Sequence, residues 1–208
     1  MVRSLLLVLG LLFFGGTPAF AETPRECVEK IGVAIDTADT GLFTQKVDVD
    51  ALINDSIAVF LEAAKKPEMQ RNMQPMLAIM LQQAASGQGA GATIRALLYK
   101  EGRAFLLNGI GSGAFAGKKV SYTKQQSLLT PLFEHASLGR KEIVQIGAGQ
   151  KRADGTIVPF TILDYGNDLE YPVDGLIQDV QGTLRLTKIL NLQEIFTRIQ
   201  EEAAQYAE

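Results

Sequence analysis

The stretch that decides the fold runs from Glu142 to Leu190. It opens with Glu142-Ile-Val-Gln-Ile-Gly-Ala-Gly-Gln150, turns at Ala153-Asp-Gly155 and continues as Thr156-Ile-Val-Pro-Phe-Thr-Ile-Leu-Asp164. After Gly166-Asn-Asp168 come Leu169-Glu-Tyr-Pro-Val-Asp-Gly-Leu-Ile-Gln-Asp-Val180, then Gln181-Gly182, then Thr183-Leu-Arg-Leu-Thr-Lys-Ile-Leu190. Four runs rich in β-branched and aromatic residues, separated by turn residues, predict an antiparallel meander of about four strands. Pro159 and Pro172 have no N–H to give to a ladder, so each belongs at an edge or beside a bulge. Gly147 and Gly149 mark a bulge or a close approach within the first strand. Bulged, strongly twisted strands of this kind curl a sheet around a helix.

Upstream the period changes from two to helical. From Pro24 to about Ala38, Cys27, Ile31, Val33, Ala34 and Ala38 recur on one helix face, and Pro24 suits a first turn. Thr40-Gly41 reads as a break. Asp48 or Asp50 then caps a helix reaching about Lys66, with Leu52, Ile53, Ile57, Phe60, Leu61 and Ala64 as its apolar stripe. A third helix over about 67–85 should be kinked or divided at Pro75. Ser86-Gly-Gln-Gly-Ala-Gly91 has the composition of a flexible hinge. Helical pattern resumes over about 92–107 and dissolves into Asn108-Gly-Ile-Gly-Ser-Gly113 and Gly117. A short helix is expected around 128–135. After Asn191, Leu192, Ile195, Phe196 and Ile199 lie on one side of a last helix. The fold class is therefore α+β, with N-terminal helices packed on a curved antiparallel sheet and a C-terminal helix.

The N-terminus carries a different message. Arg3 precedes an apolar run from Leu5 to Phe14, and Pro18 breaks the chain before Ala19-Phe20-Ala21. This reads as a cleavable signal peptide over residues 1–21, too short to span a bilayer stably. Residues 22–208 are then one exported domain, periplasmic or secreted, divided into a helical part (22–110), a sheet part (140–192) and a C-terminal helix (193–208). No later stretch is apolar enough to cross a membrane, so the processed chain is not membrane-spanning. Loss of Arg3 makes the formal net charge of −3 one unit more negative. A mildly acidic chain without basic runs does not suit nucleic acid. Cys27 is the only cysteine. It reads first as a small buried residue at the start of the first helix; an odd cysteine in an oxidising compartment also invites a homodimer through a Cys27 disulfide.

Three segments together carry a family resemblance: the starting helix, Ala34-Ile-Asp-Thr-Ala-Asp-Thr-Gly-Leu-Phe-Thr-Gln-Lys-Val-Asp-Val-Asp50, and Gly182-Thr-Leu-Arg-Leu-Thr-Lys-Ile-Leu-Asn191. The pattern resembles the nuclear-transport-factor-2-like superfamily, and within or near it an uncharacterised family of exported bacterial proteins. Leu184 stands where a Trp is often found. The resemblance implies a cone in which a curved sheet wraps helices around an apolar pocket. The superfamily holds isomerases, dehydratases, lipid carriers and interaction modules, so fold alone does not choose a function.

Candidate chemistry is sparse. Met69, Met73, Met76 and Met80 fall on one helix face; thioethers favour Cu(I), but the apolar neighbours Leu77, Ile79 and Leu81 make core or pocket lining the better reading. Met73, Met76, Met80, Phe105, Phe160 and Tyr171 are the candidate pocket residues. The glycines from Gly109 to Gly117 follow a helix and lack a phosphate-loop Gly-Lys-Ser/Thr, which reduces them to a helix-to-sheet joint. His135 is the sole histidine, which removes multi-histidine metal sites and leaves at most one imidazole base. Asp164, Asp168, Glu170 and Asp174 read as solvated turn residues, although isomerase-type pockets of the superfamily that the chain resembles pair an acid with a tyrosine, and Tyr165 and Tyr171 are nearby. No catalytic residue, metal or cofactor is assigned. The expected role is a non-enzymatic binder of an apolar small molecule, lipid or envelope protein. A small-molecule isomerase or hydrolase and a phospholipid carrier are the alternatives.

Overall fold

The computed structural model describes residues 22–67, 75–86, 89–120 and 139–205. The signal-peptide segment, Met69, Met73, His135 and the helix expected around 128–135 lie outside them. Among the described residues six helices and a mostly antiparallel sheet make an α+β fold, with five of these helices before the sheet and one after it. In chain order they are α1 (Pro24–Asp36), α2 (Thr40–Lys46), α3 (Val49–Ala63), α4 (Pro75–Ser86), α5 (Ala90–Gly111), β1 (Lys141–Val144), β2 (Gln150–Arg152), β3 (Gly155–Asp164), β4 (Leu169–Val180), β5 (Thr183–Ile189) and α6 (Leu192–Gln205). Among the described residues no helix is long and apolar enough to cross a membrane.

Helix α1 starts at a capping box. The Thr23 hydroxyl accepts from Glu26 N at 3.2 Å and the Glu26 carboxylate accepts from Thr23 N at 2.7 Å, satisfying two N–H groups that the helix itself cannot. The face it buries carries Cys27, Val28, Ile31 and Ala34, whereas Val33, expected on that face, is half exposed at 51%. The break expected at Thr40-Gly41 is instead the first turn of α2, because the Asp39 carboxylate caps Leu42 N at 2.9 Å. Asp48 caps α3 through Ala51 N at 3.1 Å. Pro75 is the first residue of α4, where its missing N–H costs nothing.

Helix α5 runs through Gly109 and ends only at Gly111, longer than the glycines predict. Gly109 is there for room: a Cβ on it would lie 2.4 Å from Cζ of Phe115. Only Gly113 and Gly117 in this cluster supply positive φ, at 77° and 82°. Gly91, in the first turn of α5, is likewise set by close packing, since a Cβ on it would lie 2.0 Å from the Gln83 carbonyl oxygen, whereas Gly89 supplies a positive φ of 53° with open space around it. Arg95 Nε donates to Ala84 O at 2.7 Å and closes the C-terminus of α4.

The sheet order is β1-β3-β4-β5, with β2 also on β3. The first strand expected over 142–150 is two strands. Between the pairs Val144↔Thr161 and Gln150↔Ile157, five residues oppose three, and Gln145 sits at φ 52°. Pro159 faces this interruption; its carbonyl accepts from Gly147 N at 2.8 Å, and its missing N–H falls where the ladder is already broken. Pro172 faces past the end of β5. There the Asn191 side chain extends the strand, accepting from Asp174 N and donating to Pro172 O, both at 2.9 Å.

Two apolar clusters result. The larger joins α1, α2 and α5 to the inner sheet face through Cys27, Ile31, Phe43, Ile110, Phe115, Val158, Phe160, Val173, Ile177 and Leu186. Phe160 lies over Gly175, where a Cβ would be 2.8 Å from Cε1 of the ring. The smaller holds α3, α4 and α5 together through Leu61, Leu77, Leu81, Ile94 and Leu98.

Candidate functional site

The inner face of the sheet ends in a polar group. Lys141 on β1 pairs with Asp164 on β3, and Ile162, two residues along, pairs with Tyr171 on β4. Alternation along each strand therefore places Lys141, Asp164 and Tyr171 on the face shared with Phe160. Asp164 is buried, at 6% exposure, which corrects its reading as a solvated turn residue. Its Oδ1 accepts from Lys141 Nζ at 2.7 Å and from Gly166 N at 2.8 Å. The Lys141 ammonium also donates to Gly139 O at 3.2 Å and lies 5.4 Å from the centre of the Phe115 ring. Burial pushes its pKa below the ordinary lysine value, and the Asp164 carboxylate opposes that shift.

Tyr171 is buried at 8%, and its hydroxyl accepts from Asn167 Nδ2 at 2.7 Å. Arg198 of α6 lies 5.7 Å over its ring. These groups border a solvent-open cleft of about 220 Å³ lined by Tyr171, Pro172, Asn191, Glu194, Ile195 and Arg198. Tyr165, the next residue after Asp164, points to the opposite face. It is 44% exposed and its hydroxyl donates to Glu142 Oε2 at 2.7 Å. Acid and tyrosine thus share the inner face only as Asp164 and Tyr171.

The described candidate pocket residues are distributed among four places. Phe160 belongs to the larger cluster, and Phe105 packs against it with its ring 5.9 Å from Phe115. Met80 packs on the smaller cluster. Met76 points outward at 71% exposure, with Ile79 one turn on at 56%. Tyr171 borders the cleft.

Cys27 is fully buried. Its thiol is pushed up to about 11, chiefly by burial and then by the Glu22 charge. A disulfide from Cys27 to a second copy would need the sulfur, now closed off in the core, to become exposed first.

Two polar groups were not legible in the sequence. Asp50, in the first turn of α3, accepts from the Tyr99 hydroxyl at 2.6 Å and from Arg103 Nε at 3.2 Å. The four-residue spacing of Tyr99 and Arg103 on one helix was the available signal; nothing local pointed to Asp50. Lys46, buried at 5%, donates to Glu22 Oε2 at 2.6 Å, while Lys30 Nζ lies 2.9 Å from Oε1. Burial disfavours the Glu22 charge, but these two ammonium groups outweigh it and hold the carboxyl below its ordinary pKa. Among the described residues no three His, Cys, Asp or Glu side chains converge as metal ligands would. No protein-family model, curated protein or solved structure matches the chain.

Proposed function

We propose that this is an exported, non-enzymatic binding protein whose partner is an apolar ligand or an apolar surface of an envelope protein. The observation that carries the reading is the outer face of α4, where Met76 and Ile79 stand exposed one turn apart above a small cluster of their own. Met80 continues the stripe half buried. Flexible thioethers beside an aliphatic side chain make an adaptable apolar surface. The inner-face polar groups are meanwhile engaged with one another, Asp164 with Lys141 and Tyr171 with Asn167.

The test is a double substitution, Met76→Lys with Ile79→Lys. Both side chains are exposed, so helix content and Tm should hold. Native mass spectrometry of the full chain should then show loss of any retained lipid or co-purifying protein, and binding of an apolar fluorescent probe should fall. Probe binding and cargo equal to wild type would reject the reading. A retained phospholipid would make the protein a carrier.

The isomerase or hydrolase reading rests on Asp164 and Tyr171 sharing the inner face as diagonal neighbours, about 7–8 Å apart at the backbone. It predicts turnover of a small substrate that Tyr171→Phe abolishes without loss of stability. Turnover unchanged in that variant would remove it.

A further inference from the structure

Asn108-Gly109 is the one Asn-Gly step in the sequence; the other asparagines precede Asp55, Met73, Asp168 and Leu192. In a freely moving chain such a step is chemically weak. Glycine has no Cβ to hinder its amide nitrogen, and its backbone reaches the angles that bring that nitrogen against the asparagine Cγ. Attack forms an N–Cγ bond and expels ammonia, leaving a five-membered succinimide, which water then opens at either carbonyl. One opening leaves an ordinary aspartyl linkage. The other leaves an isoaspartyl linkage, with the main chain rerouted through Cβ and Cγ and the former backbone carbonyl released as a free carboxylate.

The fold blocks this reaction even though the Asn108 side chain is exposed. Both residues lie inside α5. Helical geometry directs the Gly109 N–H along the axis to the carbonyl four residues back, away from the side chain that would be attacked. The backbone is also held from downstream: Ser112 N donates to Asn108 O at 2.9 Å and Phe115 N to Gly109 O at 3.0 Å. Gly109 and Ile110 are buried, and Ile110 belongs to the larger apolar cluster. The last turn of α5 therefore opens only when that cluster is disturbed.

From these observations we infer that Asn108 is a latent site of spontaneous covalent modification, closed in the folded protein and open in the unfolded chain, whose isoaspartyl form cannot rebuild the end of α5. The last part follows from packing. The rerouted main chain is one atom longer between residues 108 and 109, and the carbonyl that accepts from Ser112 N is no longer part of it. A close-packed interior has no slack to absorb the added length. At Gly109 even a methyl would lie 2.4 Å from Cζ of Phe115. The aspartyl form, by contrast, keeps the backbone intact and only adds a negative charge near the helix C-terminus, where the dipole disfavours it. A chain that lingers unfolded thus loses its ability to fold. The site is independent of the apolar face of α4, and either reading can fail without the other.

The experiment ages the full chain in mildly alkaline buffer, folded and in guanidinium chloride. Residue 108 is followed by peptide mass spectrometry and by labelling with an isoaspartyl methyltransferase. The folded chain should convert at least about a hundredfold more slowly than the unfolded one, as expected where reaction requires opening of a buried helix end. In denaturant, where packing plays no part, Gly109→Ala should slow conversion by hindering the attack. After ageing in denaturant and return to buffer, the wild-type chain should lose refolding amplitude in step with its isoaspartate content, relative to the unaged chain. Asn108→Gln, whose longer side chain must close a six-membered ring, should keep its amplitude. Equal conversion of residue 108 in folded and unfolded chains would overturn the protection. Isoaspartyl chains that regain the wild-type Tm, or Asn108→Gln chains that lose amplitude at the wild-type pace, would overturn the rest.

Discussion

Two glycines of α5 should respond in opposite directions to the same substitution. Gly102→Ala and Gly109→Ala both exchange glycine for alanine inside one helix, a change that by itself stabilises by about 1 kcal/mol. At Gly102 the new methyl meets only the Ile53 side chain at 3.8 Å, an ordinary contact, so the gain survives nearly whole. At Gly109 it meets three atoms of the Phe115 ring at 2.4, 2.5 and 2.8 Å, roughly 1 Å inside normal carbon–carbon contact. That ring is 6% exposed, packed edge-on against Phe105 and lying under the Lys141 ammonium, so it has little room to retreat. Overpacking costs about 1–3 kcal/mol; the upper part of that range, less the helix gain, leaves a net loss of about 1–2 kcal/mol. For a chain of this size Gly109→Ala should lower Tm by about 3–6 °C, while Gly102→Ala raises it by about 2–3 °C. Urea denaturation with unchanged slope, supported by calorimetry, reads both. If Gly109→Ala stabilises as Gly102→Ala does, the packing explanation of the long helix is wrong. Restoration by Phe115→Leu in the Gly109→Ala background would place the conflict on the ring.

Other expectations concern charges and the thiol. Asp164→Ala leaves the half-buried Lys141 without that carboxylate and should cost about 2 kcal/mol, less than for a fully buried pair, whereas Asp164→Leu with Lys141→Met should recover most of it in a thermal denaturation cycle; a single-variant loss below about 0.5 kcal/mol would contradict the burial argument. Glu22 has a folded-state pKa below its unfolded value of 4.5, so its stabilisation is present above that value and lost as pH falls through the lower folded pKa. Glu22→Gln should flatten this acid limb in a Tm-against-pH series, and an unchanged limb would show that the ion pair does not form. Cys27, with its thiol raised to about 11, should react with an aromatic disulfide reagent at pH 8 at least about a hundredfold more slowly than in urea. Rapid labelling of the folded chain would mean that α1 opens readily.

The sheet was legible because its punctuation has local causes. Pro159 and Pro172 each required a missing partner, and each has one: a broken ladder at Gly147 and the end of β5 at Asn191. The start of α1 and the Asp48 cap were legible for the same reason. Errors arose where a residue's role is set by something distant. Gly109 reads as a breaker until Phe115 is laid against it. Asp164 reads as a solvated turn acid until Lys141 arrives from β1. At Thr40-Gly41 the low helix propensity of glycine was outweighed by the Asp39 cap. Of the candidate pocket residues, hydrophobicity identified burial for Phe160 and Tyr171, but it does not distinguish a wall from a filled interior. The anchoring of Arg185, whose Nη2 donates to Thr44 O and Val47 O, left no local trace, because those carbonyls lie in the other half of the chain.

That last pairing bears on how the molecule comes together. Val47 bridges Leu186 in parallel, Asp48 N donates to Leu186 O at 2.9 Å, and Arg185 grips the Val47 carbonyl from 138 residues away in the chain. The step from α2 into α3 is therefore moored to the last strand. A chain emerging N-terminus first can build helical pieces early, but it cannot seat them until nearly its whole length is free. Loop closure over such a distance comes late and makes the final assembly all-or-none. Until residue 186 is released, α2 and α3 lack the strand that moors them.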